Sequence, residues 1–298
     1  MEFDLIPTQD QLDKIADPEA TVVPLVDAVN ASLKGREGVD SFPVGFKIFD
    51  DVMNGGLTDG DLVLISGRTG HGKTTFAQTL TYHLNQIAIP VAWFSYEMQI
   101  TEIWNKFKAM GFTEDNFIGY APTKLKSGNI EWIEARINEA ILKFNCKVFF
   151  IDHLGYLAPD ISKLPGDAER NYSIYLRETV RQLKRLALDK NIIIVLLAHI
   201  RKTKEEPDIE DIAYSVGTSQ EADFIFFVDR IRKKPVHRSE WEKETEMDGD
   251  VYTEFSKIKL AKNRRTGYNR FLKARMTNGR LVEVKNIQEP PPNEHYIE

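Results

Sequence analysis

Gly67-Arg68-Thr69-Gly70-His71-Gly72-Lys73-Thr74 decides how the rest of this chain is read. The stretch fits G-x-x-x-x-G-K-[ST], a loop that cradles phosphate. Its surroundings agree. Asp61-Leu62-Val63-Leu64-Ile65-Ser66 has the character of a buried strand entering the loop, and Thr74-Thr75-Phe76-Ala77-Gln78-Thr79-Leu80 that of a helix leaving it. Glycines let backbone N–H groups turn inward around an anion, and a helix N-terminus adds its positive dipole end. Lys73 would neutralise the β and γ phosphates of ATP or another nucleoside triphosphate. The Thr74 hydroxyl would ligate Mg²⁺, and Thr75 completes the segment Gly67 to Thr75.

Working outward, 298 residues suffice for one large α/β domain with short extensions. A hydrophobic share of 42% and a charged share of 28% suit a globular chain. Cys146 is the single cysteine, so neither a disulfide framework nor a cysteine-based metal site can form, and a reducing cytosol is expected. Met1-Glu2-Phe3-Asp4 lacks the basic and apolar regions of a signal peptide. The longest apolar run, Ile192 to Ala198, is too short to span a bilayer, so no membrane partner is expected. A net charge of −6 argues against general polyanion binding, but Lys257 to Arg275 carries eight Lys or Arg and no Asp or Glu. That segment is either a solvated strand face or a local surface for anions.

Residues 1–40 read as an extension. Pro24 can start a helix in which Leu25, Val26, Val29 and Leu33 share one face, a stripe that needs a partner surface. From Phe42 strand and helix alternate. Strands are predicted near 61–66, 91–96, 146–151, 191–198 and 223–229, and helices near 72–86, 99–110, 127–144 and 171–190. Uniformly apolar runs such as Val148-Phe149-Phe150-Ile151 predict a mainly parallel sheet covered by helices on both faces. Residues 231–250 read as a polar excursion. Strands near 252–261, 268–276 and 281–285 follow, the last after an Asn278-Gly279 turn. The tail from Gln288, with its three prolines, is expected to be disordered.

Ligands of an open parallel sheet sit beyond the carboxyl ends of its strands. Glu97 follows Val91-Ala92-Trp93-Phe94-Ser95-Tyr96 and is either a base for the attacking water or a helix N-terminal acid. Asp152 ends Val148-Phe149-Phe150-Ile151, the pattern of a Mg²⁺-binding carboxylate. His199 ends Ile192 to Ala198 and is either a sensor of the γ phosphate or a core histidine. His71 and His153 lack cysteine partners and i, i+4 histidine pairs, so no zinc is assigned. Lys262-Asn263-Arg264-Arg265-Thr266-Gly267 is a basic turn, either an arginine finger for a neighbouring subunit or a solvated hairpin.

Taken together, Gly67 to Thr75, Ser95-Tyr96-Glu97-Met98, Ile151-Asp152-His153-Leu154, Ala198-His199-Ile200-Arg201-Lys202 and Lys262 to Gly267 resemble the ATPase domain of DnaB-type (superfamily 4) hexameric replicative helicases. The branch of phage primase–helicases and Twinkle is the nearer match, and the likeness covers about 43–286. It implies a RecA-like fold assembled as a hexameric ring around single-stranded DNA at a replication fork, in the host cytoplasm if phage-encoded. Glu97 would then be the catalytic base, His199 the phosphate sensor, and Lys262 and Arg264 would reach the neighbour's ATP. Arg201, Lys202 and Lys204 would follow the DNA backbone in the second of two channel loops. Asp211-Ile212-Ala213-Tyr214-Ser215-Val216 departs from the family's Asp-Leu-Arg-x-Ser-Gly. No primase domain is seen, so a replisome primase or polymerase would be a partner. A RecA/RadA-like recombination filament and a KaiC-like regulatory ring are the competing readings.

Overall fold

The computed structural model describes residues 23–33, 41–126, 130–158, 168–200, 206–212, 215–232 and 252–284. The expectations for Arg201, Lys202, Lys204, most of the excursion and the tail lie outside them. The chain divides into two compact units, Met1–Asp40 and Ser41–Glu298. In the first, α1 (Leu25–Leu33) begins where Pro24 O accepts from the Asp27 and Ala28 N–H groups, and Leu25, Val26 and Val29 are exposed.

The second unit opens with a small antiparallel pair, β1 (Ser41–Phe42) and β2 (Leu57–Thr58), which brackets α2 (Lys47–Val52). Then come β3 (Leu62–Gly67), α3 (Lys73–Gln86), β4 (Val91–Ser95), α4 (Ile100–Ala109), β5 (Gly119–Tyr120), α5 (Ile130–Phe144), β6 (Val148–Asp152), α6 (Ala168–Lys190), β7 (Ile193–His199), α7 (Ser215–Glu221) and β8 (Phe224–Arg232). Three further strands, β9 (Tyr252–Asn263), β10 (Arg270–Thr277) and β11 (Arg280–Glu283), complete it. Among the described residues the main sheet runs β11-β10-β9-β8-β3-β7-β6-β4-β5. Strands β3 to β8 are mutually parallel, and β9 to β11 pair antiparallel at the C-terminal end.

The predicted parallel sheet is therefore present, and period-two alternation explains its two cores. Val63 and Ile65 of β3 join Phe76, Leu80, Trp93, Phe150 and Phe226 under α3 on one face. Leu62 and Leu64 join Phe94, Ile151, Leu183, Leu196 and Phe227 under α5 and α6 on the other. Elements absent from the sequence reading are short. β1, β2 and β5 span two residues each, too few to show a period. The Ser-Val-Gly-Thr-Ser-Gln-Glu of α7 has weak helix propensity. Tertiary contacts hold it: Lys262 Nζ donates to the terminal Ser219 and Gln220 carbonyls, and Glu221 pairs with Arg181 of α6 at 3.3 Å.

Candidate active site

Strand order builds the site. β3, β7, β6 and β4 are consecutive neighbours, with Gly67 in register with His199 and Asp152 with Ser95. Their carboxyl ends thus present the loop after β3, His199, Asp152 and the turn bearing Glu97 along one edge. Gly67 is required by more than turn geometry. Its φ is +152°, and a Cβ there would lie 2.2 Å from Val228 O. Gly72 (φ +103°) precedes α3, which begins at Lys73. Lys73 is buried and its Nζ donates to Gly67 O and Arg68 O, each at 3.1 Å, closing the loop on itself. Burial lowers the Lys73 pKa, against the pull of Glu97 and Asp152.

Thr74 Oγ1 donates to Asp152 Oδ2 at 2.9 Å. Asp152 is wholly buried and its Oδ1 has no hydrogen-bond partner. Burial raises its pKa to about 6; the Thr74 bond opposes this and Glu97 adds to it. An orphaned buried carboxylate oxygen beside the loop threonine is the donor set a divalent cation would complete. The residues fit Mg²⁺, which Thr74 and Asp152 would hold.

Glu97 lies in a turn fixed by Ser95, whose Oγ donates to Met98 O at 3.0 Å and accepts from Met98 N at 3.3 Å. Helix α4 begins only at Ile100, and its first-turn acid is Glu102. The dipole role therefore falls to Glu102, and Glu97 projects from the turn with 37% of its side chain exposed. Its Oε2 is 3.7 Å from His199 Nε2, while His199 Nδ1 is 3.4 Å from Thr69 Oγ1. Burial, then Lys73, lowers the His199 pKa, which Glu97 partly restores. A carboxylate open to solvent and a neutral imidazole thus face the rim of the phosphate loop.

Lys262 and Arg264 lie elsewhere. The Arg264 backbone N–H donates to Asp223 O, and Phe224 at the start of β8 is in register with Asn263. The loop after β3 touches β8 further along, at Val228 and Asp229. The strand from Phe224 to these residues spans ~15 Å. Arg264, 54% exposed, pairs with Asp223 at 3.1 Å and donates to Gln220 O. Burial, then the neighbouring Arg264, lowers the Lys262 pKa.

The sequence reading gave no role to three residues. Asp229 grips the phosphate loop, its Oδ2 2.5 Å from Arg68 NH1 and its Oδ1 2.5 Å from His71 Nδ1. The signal was an acid ending the apolar run Phe226-Phe227-Val228. His153 stands edge-on to His199, ring centroids 4.3 Å apart, and shares with Glu97 and His199 a space in which one ligand atom from each lies within 4.8 Å of the others. His153 Nδ1 accepts from Gly155 N, so its ring is already oriented. Arg265 turns inward to Met53 O, Gly56 O, Thr58 Oγ1 and Asp61 Oδ2. Nothing in the sequence separates it from Arg264 beside it.

The family described as "ATPase: KaiC" matches residues 42–241, from β1 through the phosphate loop and past β8. The chain belongs to the KaiC ATPase family. This KaiC-family ATPase is 25% identical to the DNA repair protein RadA of Streptococcus pneumoniae over 239 residues, 80% of this chain and 47% of that protein. It is 25% identical to the replicative DNA helicase DnaB of Haemophilus influenzae over 233 residues, 67% of this chain and 48% of DnaB. The KaiC-family chain thus spans about half the length of these relatives. The structure of a DnaB-like replicative helicase, described with its interactions with primase, superposes with a TM-score of 0.67 at 18% identity. That superposition covers 93% of this chain and 71% of the helicase. The expected RecA-like fold and DnaB-like resemblance are therefore found, and nucleotide binding by the phosphate loop follows from the family. Among the described residues no helix is long and apolar enough to cross a membrane.

Proposed function

We propose that this chain is the motor domain of a ring-forming replicative DNA helicase, driven by ATP or a related triphosphate. One observation carries the reading: two clusters of charged side chains lie at opposite ends of the sheet. Lys73, Thr74, Asp152, Glu97 and His199 gather at the carboxyl edge, while at the amino edge Arg264 stands exposed beside the half-buried Lys262. Side by side in a ring, each chain offers its basic turn to the next chain's phosphates. Thr74 and Asp152 would hold Mg²⁺, which supplies charge neutralisation of the phosphates when bound. Glu97 takes the proton of the attacking water. His199 hydrogen-bonds the γ phosphate region and transmits its loss to the chain that follows. Arg201, Lys202 and Lys204 follow the DNA backbone. The apolar stripe of α1 packs on an adjacent subunit, and a hexamer, a primase or polymerase partner and a phage source complete the proposal.

The test is unwinding of a forked duplex with ATP and Mg²⁺, with Glu97→Gln as the inactive control. Electron microscopy with a non-hydrolysable ATP analogue and oligo-dT adds the geometry, where closed rings with a threaded strand are expected. Deleting residues 1–36 should lower the oligomeric mass and leave nucleotide binding intact. A second reading, a repair ATPase acting as a filament or on branched DNA, is favoured by the RadA alignment over 80% of the chain. Filaments and strand exchange without unwinding would select it. ATP hydrolysis indifferent to any DNA would select a KaiC-like regulatory ring.

A further inference from the structure

Strands β9 and β10 have one covered face and one open face. Ser256, Ile258 and Leu260 of β9 and Leu272 and Ala274 of β10 are buried. The alternate residues turn the other way: Phe255, Lys257 and Lys259 on β9, and Phe271, Lys273 and Arg275 on β10. Antiparallel register sets Lys259 opposite Phe271, Lys257 opposite Lys273, and Phe255 opposite Arg275. Lys257 and Lys273, directly across the sheet from each other, repel unless something else holds them. Here the aromatics do, along the diagonals. Lys273 Nζ sits 3.8 Å from the Phe255 ring centroid, and Lys257 Nζ 4.5 Å from that of Phe271. Phe271 is nevertheless 45% exposed, far more than packing demands.

Beside Asp229, which β8 sets opposite Lys257, one acid among the described residues enters this surface from outside the sheet. Glu206, the first described residue after the Arg201–Lys204 stretch, lies 3.0 Å from Lys257 Nζ and 3.9 Å from Lys259 Nζ. It borders a hollow of ≈ 230 Å³ that these lysines share with Arg68, Arg230, Arg232 and Asp229, the last of which is taken up by Arg68. A carboxylate bridging two lysines at the lip of a mostly basic hollow occupies the place of an anion.

We infer that the open face of β9 and β10 binds single-stranded nucleic acid, with backbone phosphates on Lys257, Lys259, Lys273 and Arg275 and a base against Phe271. The inference rests on the nucleic-acid reading above and adds a surface to it. Charge complementarity selects a polyanion, and cations interleaved with aromatic rings select one whose charges alternate with flat bases. Glu206 holds the lysines until a phosphate takes its place, and so links the face to the chain segment proposed to follow the DNA backbone.

The experiment is fluorescence anisotropy of labelled oligo-dT on the full chain across a salt series. Lys257→Ala/Lys259→Ala/Lys273→Ala should bind about tenfold more weakly, with a salt slope lower by roughly 0.7 per lost phosphate contact. Glu206→Gln should bind ~3-fold more tightly, because removing one exposed charge pair frees both lysines. Phe271→Leu should weaken binding about fivefold at an unchanged slope, since stacking is lost and charge is not. Binding of a fluorescent ADP analogue and the thermal melt should match wild type throughout. Wild-type affinity and slope in the triple variant would overturn the inference. So would a drop in its oligomeric mass by light scattering, which would make the face an interface between copies. Arg201→Ala/Lys202→Ala/Lys204→Ala is run in parallel. Loss of binding there with none in the face variant removes only the face, whereas wild-type protein that ignores oligo-dT removes the nucleic-acid reading itself.

Discussion

The two ends of the central sheet are both crowded with charge, and they treat it oppositely. At the amino end Asp61, Asp223, Arg264 and Arg265 are all paired. Asp223 accepts from Leu62 N, Lys184 and Arg264. Asp61 accepts from Thr58 N and Arg265, and Arg265 also caps the carbonyls of Met53 and Gly56 and lies against the Phe224 ring. At the carboxyl end the accounts stay open. Asp152 Oδ1 has no partner, Lys73 bonds only carbonyls of its own loop, and Glu97 stands 3.7 Å from His199. Most buried polar groups that serve structure alone are satisfied. A cluster left short of partners at the mouth of a phosphate loop is one shaped for something it does not itself contain.

The sharpest way to break this contrast concerns Arg264, which belongs to the satisfied end but projects from it. If it completes a neighbour's site, Arg264→Ala should bind nucleotide and assemble yet lose ~10³ to 10⁵ in turnover. Mixed with Glu97→Gln it should regain part of the ATPase activity, because some interfaces then hold a sound Glu97 and a sound Arg264. No recovery in rings proven to be mixed would return Arg264 to the structural network alone.

Within the open end, Lys73 and Glu97 should separate. Lys73→Ala should abolish binding of a fluorescent ATP analogue. Glu97→Gln should keep that binding and lose ~10² or more in turnover. Near wild-type hydrolysis by Glu97→Gln would make its turn a structural feature.

The satisfied end should answer in stability, not rate. Arg265→Met leaves Asp61 and three backbone or hydroxyl acceptors without their donor. We expect a loss of about 2–3 kcal/mol, since breaking a partly buried pair strands the remaining charge. Urea midpoints should fall at constant m, and Asp61→Asn in the same chain should recover part of the loss.

The last effect is a loss set by pH that vanishes at neutrality. His83, in the last turn of α3, packs on Phe46, and burial together with Arg280 lowers its pKa to about 4. An unfolded histidine titrates near 6.5, so the unfolded chain binds the extra proton first as pH falls. His83 therefore contributes stability that is complete above about pH 6.5 and declines towards pH 4. His83→Phe should flatten that part of the stability profile. An unchanged slope would assign it to other groups.

What the sequence by itself determined was every feature with a period or a tight local geometry. The apolar runs Val63 to Ile65, Phe149 to Ile151 and Ile193 to Leu197 could be buried only as strands covered on both faces, which makes the sheet parallel and the α/β architecture legible. Gly67, Gly72 and Lys73 marked the phosphate loop because few other residues can take that backbone path. Tertiary structure alone decided which charged residues meet. Asp229 reaches Arg68 and His71 across 158 or more residues of chain, and Arg265 reaches Asp61 across 204. Arg264 and Arg265 are neighbours of one type, yet one points outward and the other into the core edge, a difference set by where β9 ends against α2 and β8. Local sequence carries the period of an element, but the partner of a side chain depends on strand order, which is fixed only when the whole sheet packs.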